Sequence, residues 1–157
     1  MPMKRSDNLG VGTGVVIALP CLCANLRRAA RVVTQYYDEE MRSSGLRLSQ
    51  FTLLQALYKA PGISQNRLAG LLEFDSTTLT RTLGSLRRKG WLLAEPGQDR
   101  RELRLSLTGA GLQEYKRVVP YWQRAQRRMR RELGEPDWKL VETAALRVAA
   151  LTTSEGA

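Results

Sequence analysis

Apolar positions recur at two different periods along this chain, and the change of period marks its organisation. From position 22 onward Leu22, Leu26, Ala29, Ala30, Val33 and Tyr37 return at the spacing of one helix face. Pro20 stands where a helix opens without losing a hydrogen bond, and Gly45 stands where it can stop. The predicted first helix runs to about Ser44, roughly 35 Å at 1.5 Å per residue. That exceeds what a small domain needs internally, and a long first helix often packs against a second chain. Three shorter helices are predicted next. Ser49 caps one over 50–59, with Phe51, Leu54 and Leu57 inward and Pro61-Gly62 at its end. Ser64 caps one over 65–73, with Leu68, Ala69, Leu71 and Leu72 apolar, and Asp75 caps one over 76–89, stopped by Gly90. Past Gly90 the period falls to two. Residues 91–94 read as a strand, Pro96-Gly97-Gln98-Asp99 as a turn, and Leu103, Leu105 and Leu107 alternate with Arg104 and Ser106. Thr108 caps a fifth helix to about Leu133, with a kink at Pro120, and Glu135-Pro136-Asp137 opens a sixth ending near Leu151. One short strand near Ile63 is barely marked. The expected fold is mainly α with a small β-hairpin wing (α+β), in one domain over 18–153 behind a flexible arm over 1–17.

Composition narrows the chemistry. The 157 residues are 43% hydrophobic, enough for one real core. A net charge of +10 favours a polyanion partner, nucleic acid ahead of an acidic membrane surface. There is no histidine, which removes the commonest general base and the commonest zinc ligand. No carboxylate or lysine cluster replaces it, so neither an enzyme nor a metal or other cofactor site is expected. Cys21 and Cys23 are too few and too close for a disulfide framework and fit a reducing cytoplasm. The N-terminal stretch does not read as a signal peptide: Asp7, Asn8 and glycines dilute its apolar part, and Leu19-Pro20 precedes Cys21 where a lipoprotein site wants small residues. Gly10, Gly12 and Gly14 lack the Gly-Lys-Ser/Thr of a phosphate loop. No run approaches the roughly 18 apolar residues of a membrane span.

The fourth helix carries the functional pattern. At 100° per residue, Leu79, Leu83 and Leu86 share one face, and Thr77, Arg81, Gly84, Ser85 and Arg88 lie opposite. That face is short and polar at its start, small in its middle and basic at its end, the layout a helix needs to enter a major groove. The run Ser76-Thr77-Thr78-Leu79-Thr80 is poor in helix formers, a cost that a solvated face alone does not explain. Thr78 belongs with these candidate contacts. Ser64 and Gln65 open the third helix, where backbone amides can bind a phosphate, and Ala69 is small where two helices must touch. The hairpin tip reads Asp99-Arg100-Arg101, with Arg104 three residues on. A positive tip on a thin ribbon suits a minor groove. On an extended strand Asp99 and Arg101 would share a side, so that the carboxylate holds the guanidinium fork.

Leu68-Ala69-Gly70-Leu71-Leu72, Leu79-Thr80-Arg81, Leu86-Arg87-Arg88-Lys89-Gly90-Trp91-Leu92, Asp99-Arg100-Arg101 and Leu107-Thr108-x-x-Gly111 together resemble the MarR family of bacterial and archaeal regulators. The match in helix order and spacing spans about residues 20–152. Glu73 departs from it, standing where the helix-turn-helix turn often carries Gly. The resemblance implies a cytoplasmic homodimer on double-stranded DNA, with a pseudo-palindromic operator and most often repression. It implies a winged helix-turn-helix lobe over 48–108, with the fourth helix in the major groove and the wing arginine in the minor groove. The dimerisation helices would be 18–47 and 109–153. A small-molecule or oxidant effector is the expected signal. Some regulators of this kind sense peroxides through a cysteine near the first helix start, where amides and nearby Arg27 and Arg28 favour a thiolate at Cys21 or Cys23. The plainer reading makes both cysteines small packing residues at a dimer seam. A non-specific architectural DNA binder is the competing function.

Overall fold

A computed structural model describes residues 17, 19–72, 74–99 and 102–151. The expected arm, apart from Ile17, therefore lies outside the described residues, as do Glu73, Arg100 and Arg101. Among the described residues, six α-helices and a three-stranded antiparallel sheet occur in the order α1 (Leu22–Met41), α2 (Leu48–Lys59), β1 (Ile63–Ser64), α3 (Gln65–Leu72), α4 (Ser76–Arg88), β2 (Leu92–Pro96), β3 (Leu103–Leu107), α5 (Gly109–Leu133) and α6 (Glu135–Ala150). The fold class is as the sequence predicts. Among the described residues, no helix is long and apolar enough to cross a membrane.

The chain forms two compact units, divided inside α1 between Tyr36 and Tyr37. In the first, Asn25 ties down the helix entry: its side chain accepts from the Leu19 amide and donates to the Leu19 carbonyl. The Cys21 carbonyl accepts the Asn25 amide, so Cys21 immediately precedes the helix and Cys23 lies in its first turn. Leu22, Leu26, Val32 and Val33 are exposed. In the second, a 3-10 turn (Arg42–Ser44) follows α1 and ends at Gly45, whose φ of 79° lies in the left-handed region. The next helix starts earlier than Ser49 suggests. Gln50 Oε1 accepts the Arg47 amide, and Asp38 Oδ1 accepts the Leu48 amide at 2.6 Å, a long-range cap that sequence spacing cannot show.

One core joins the winged lobe to α5. Phe51, Leu53, Leu54, Leu57, Leu68, Leu79, Leu83, Leu86 and Leu105 are buried together with Met41 and Val118 from the flanking helices. Phe51 stacks on Tyr115 and on Trp122, each with ring centroids 5.7 Å apart. Arg117 forks onto Glu114 and donates to the Ser44 carbonyl at 2.7 Å, fastening α5 to the turn before α2. The α5 helix runs through Pro120 to Leu133 without a break.

The sheet order is β1-β3-β2. The hairpin begins one residue later than predicted and is longer: Leu92 pairs with Leu107, and Pro96 still pairs with Leu103. Proline is tolerated there because it closes the ladder. The junction after the wing is tight. Thr108 Oγ1 accepts the Gly111 amide and donates to the Gly90 carbonyl, while the Thr108 amide reaches the Trp91 carbonyl. A Cβ at Gly111 would stand 2.1 Å from that Trp91 oxygen, which explains the Leu-Thr-x-x-Gly spacing. Gly111→Ala should therefore destabilise the fold by about 3 kcal/mol, near the upper end of over-packing costs, as measured by urea unfolding.

Candidate nucleic-acid interface

The second unit builds a presented helix. Asp75 caps α4: its Oδ1 accepts the Thr78 amide at 2.8 Å, and its other oxygen accepts the Thr78 hydroxyl. These two bonds hold the Asp75 carboxyl below the usual carboxylate range. At the other end the chain turns at Gly90, with φ of 70°. Leu79, Leu83 and Leu86 are buried as expected, joined by Thr82, whose hydroxyl donates to the Thr78 carbonyl. Burial of one stripe leaves Thr77, Arg81 and Arg88 exposed on the other side. Among the described residues neither arginine has an ion-pair partner. Gly84 leaves the middle of that face low; a Cβ there would meet only the flexible end of Arg88, at 3.5 Å.

The candidates do not all stand alike. Thr78 is half-buried and spends its hydroxyl on the Asp75 cap. Ser85 is half-buried and accepts from Gln50 Nε2 at 3.3 Å, a support from α2 that the sequence did not suggest. Ser64 is only 3% exposed and caps α3 by accepting the Arg67 amide at 3.3 Å. Gln65 lines a shallow hollow with Asn66, Glu102 and Leu103, beside the wing. Asp99 is exposed in the turn, its carbonyl accepting the Glu102 amide, and β3 begins only at Leu103. The extended-strand argument for Asp99 and Arg101 thus meets a turn at Asp99, while Arg100 and Arg101 lie outside the described residues. Arg104 is not part of a free positive tip. Its guanidinium donates to the Gly62 carbonyl and to Glu102, each at 3.2 Å, and clamps β3 to the loop before β1. Cys21 and Cys23 are both exposed.

The Asp75 cap has a testable pH signature. A carboxyl depressed on folding adds stability above its ordinary value of 3.8, and that contribution is lost as pH falls through the lower folded value. Asp75→Asn should therefore be less stable than wild type at pH 7, with the gap closing in acid. Urea midpoints of both proteins along a pH series measure it.

Three helices in quick succession, the last presenting a polar and basic face, followed by a two-stranded wing, define a winged helix-turn-helix protein. Residues 44–102 match the MarR family. The M. tuberculosis transcriptional regulator MosR, solved in complex with DNA, is 31% identical, with a TM-score of 0.73 covering 87% of this chain and 99% of that one. A structure of MarR is 23% identical and shares the fold, with a TM-score of 0.72 over 90% of this chain and 97% of that one. The uncharacterized HTH-type transcriptional regulator YwoH of Bacillus subtilis (strain 168) is 27% identical over 97 residues, 62% of this chain and 71% of that protein. The chain belongs to the MarR family of transcriptional regulators.

Proposed function

We propose that this chain is a sequence-specific DNA-binding repressor that holds a pseudo-palindromic operator as a homodimer. The observation that carries the reading is the α4 face, where Thr77, Arg81 and Arg88 stand exposed opposite buried leucines and the two arginines have no ion-pair partner among the described residues. Arg81 reads a base edge, Thr77 sits at the groove floor, and Arg88 meets phosphate. Ser85 donates its proton outward while Gln50 occupies its oxygen. The amides at Gln65 and the wing's Arg100 and Arg101 supply the flanking contacts. MosR, a relative 31% identical to this chain, was solved with DNA. Self-association is supported by α6, which buries no residue although Leu140, Val141, Leu146 and Val148 are apolar. The deciding experiment compares affinity for fragments selected from the protein's own genome with affinity for random duplex at one salt concentration. A ratio of about 10³ or more supports operator reading. A ratio near one makes the chain a non-specific architectural binder.

Release by oxidation fits the exposure of Cys21 and Cys23, which leaves both thiols open to peroxide. Affinity for a selected fragment should fall after mild peroxide in wild type and hold in Cys21→Ser/Cys23→Ser. If it holds in wild type with oxidised thiols, a small-molecule effector takes that role.

A further inference from the structure

The charge that first pointed to a polyanion is not carried mainly by the lobe that would meet the operator. Residues 48–108 hold nine basic and five acidic side chains, a net +4, whereas α5 alone holds seven basic and two acidic, a net +5. Three of the α5 arginines serve the fold: Arg117 forks onto Glu114, Arg128 pairs with Glu40 and Glu132, and Arg130 pairs with Glu135. Arg124, Arg127 and Arg131 are exposed and have no ion-pair partner among the described residues. Arg124 is steadied over the Tyr121 ring, 5.1 Å from its centroid. Their spacing of three and four residues puts all three within about 60° of one another on the helix, a ridge roughly 10 Å long. It begins about 22 Å along the axis from the end of α5 that adjoins the wing.

We propose that this ridge is a second DNA-binding surface, gripping phosphates without reading bases. The inference rests on the operator reading above, which already brings the protein to duplex DNA. Guanidinium forks match phosphate oxygens, and three in a row with no carboxylate partner leave that capacity unused. The neighbouring surface decides against other polyanions. A helix that lies on a membrane sets large apolar residues beside its basic ones, yet among the described residues Leu133 is the only exposed large hydrophobic one on α5. A protein partner would want a buried apolar anchor at the centre of its contact, and the ridge offers none. A two-fold contact centred on the ridge would set like charges together, which argues against a second copy of this chain as its occupant.

The test uses the full-length chain and a 30-base-pair random-sequence duplex (a length of about three helical turns), with affinity measured across a salt series. Arg124→Ala/Arg127→Ala/Arg131→Ala should flatten the slope of log affinity against log salt by about 2–3, at roughly 0.9 for each phosphate no longer neutralised. The triple lysine variant should keep the wild-type slope. Because all three side chains are exposed, thermal unfolding should be unchanged in both. The α4 variant Arg81→Ala/Arg88→Ala should lose affinity separately, and adding the ridge substitutions to it should remove most of the remainder. A slope unchanged in the alanine triple, with the α4 variant still weakened, overturns the ridge and leaves the operator reading standing. Loss of retention on phosphatidylglycerol vesicles with the DNA slope intact overturns it too, by assigning the ridge to lipid. No binding of wild type to the duplex at low salt defeats both readings together.

Discussion

Leu140→Glu/Leu146→Glu should convert the protein to a monomer and lower operator affinity by about 10²–10⁴, the factor that disappears when two linked half-sites are reduced to one. Leu140 and Leu146 are 68% and 69% exposed in the single chain, so their replacement removes little internal packing. On the helix they lie about 120° apart, with Val141 on a third side. The apolar residues of α6 spread over a wide arc that Lys139, Glu142 and Arg147 interrupt, and so wide an exposed apolar surface calls for cover from another element. Two such residues on each subunit, covered at about 25 cal/mol per Å², supply several kcal/mol to a self-contact, and four buried carboxylates would oppose it more strongly. Sedimentation at micromolar concentration reads the assembly, and fluorescence anisotropy on a selected operator fragment reads the affinity. A variant that remains dimeric would move the self-contact to other residues. A monomer with undiminished affinity would mean that one winged lobe suffices.

What the sequence made legible follows from how local each determinant is. The helix-period leucines at 79, 83 and 86 and the cap at Asp75 act within one element, and the structure places them as their spacing predicts. The Leu-Thr-x-x-Gly junction is also local, although its reason, a backbone oxygen 2.1 Å from where a Cβ would sit, appears only in three dimensions. Determinants that join distant elements were not legible. Asp38 caps a helix ten residues away, so Ser49, with better cap chemistry, looked like the start. Gln50 reaches Ser85 across 35 positions, and neither residue announces the other. Arg104 looked like part of a basic tip because charge is visible in sequence and its acceptor, the Gly62 carbonyl, is not. Burial misled at Ser64 in the same way. A serine at a helix start fits a phosphate site and a buried cap equally until its 3% exposure is known. The two cysteines are exposed in the single chain, an observation that sequence spacing alone does not supply.

Arg81→Ala should weaken operator binding by about 1–3 kcal/mol, roughly 5- to 150-fold, and leave binding to random duplex much less affected. The size follows from where the side chain stands. Arg81 is exposed one turn into α4, about 40° around the axis from Thr77, and it faces away from the buried stripe of Leu79, Thr82 and Leu83. Recognition helices set their N-terminal residues against base edges, and Arg81 is the first side chain on this one that can donate two parallel hydrogen bonds. The bonds of α4 favour that use. The Asp75 carboxylate is occupied by Thr78, so it does not draw the guanidinium back onto the helix start. Gly84, one turn further on, leaves the groove wall room to approach. Arg88 lies two turns beyond and near the helix end, where a phosphate contact is the expected role, so Arg88→Ala should weaken operator and random DNA alike and lower the salt slope by about 1. Lysine separates the two roles. Arg81→Lys keeps the charge but not the fork, so it should lose most of the operator preference, whereas Arg88→Lys should behave nearly as wild type. Equal losses on both DNAs for Arg81→Ala would reassign it to the phosphate backbone, and no loss on either would remove it from the interface.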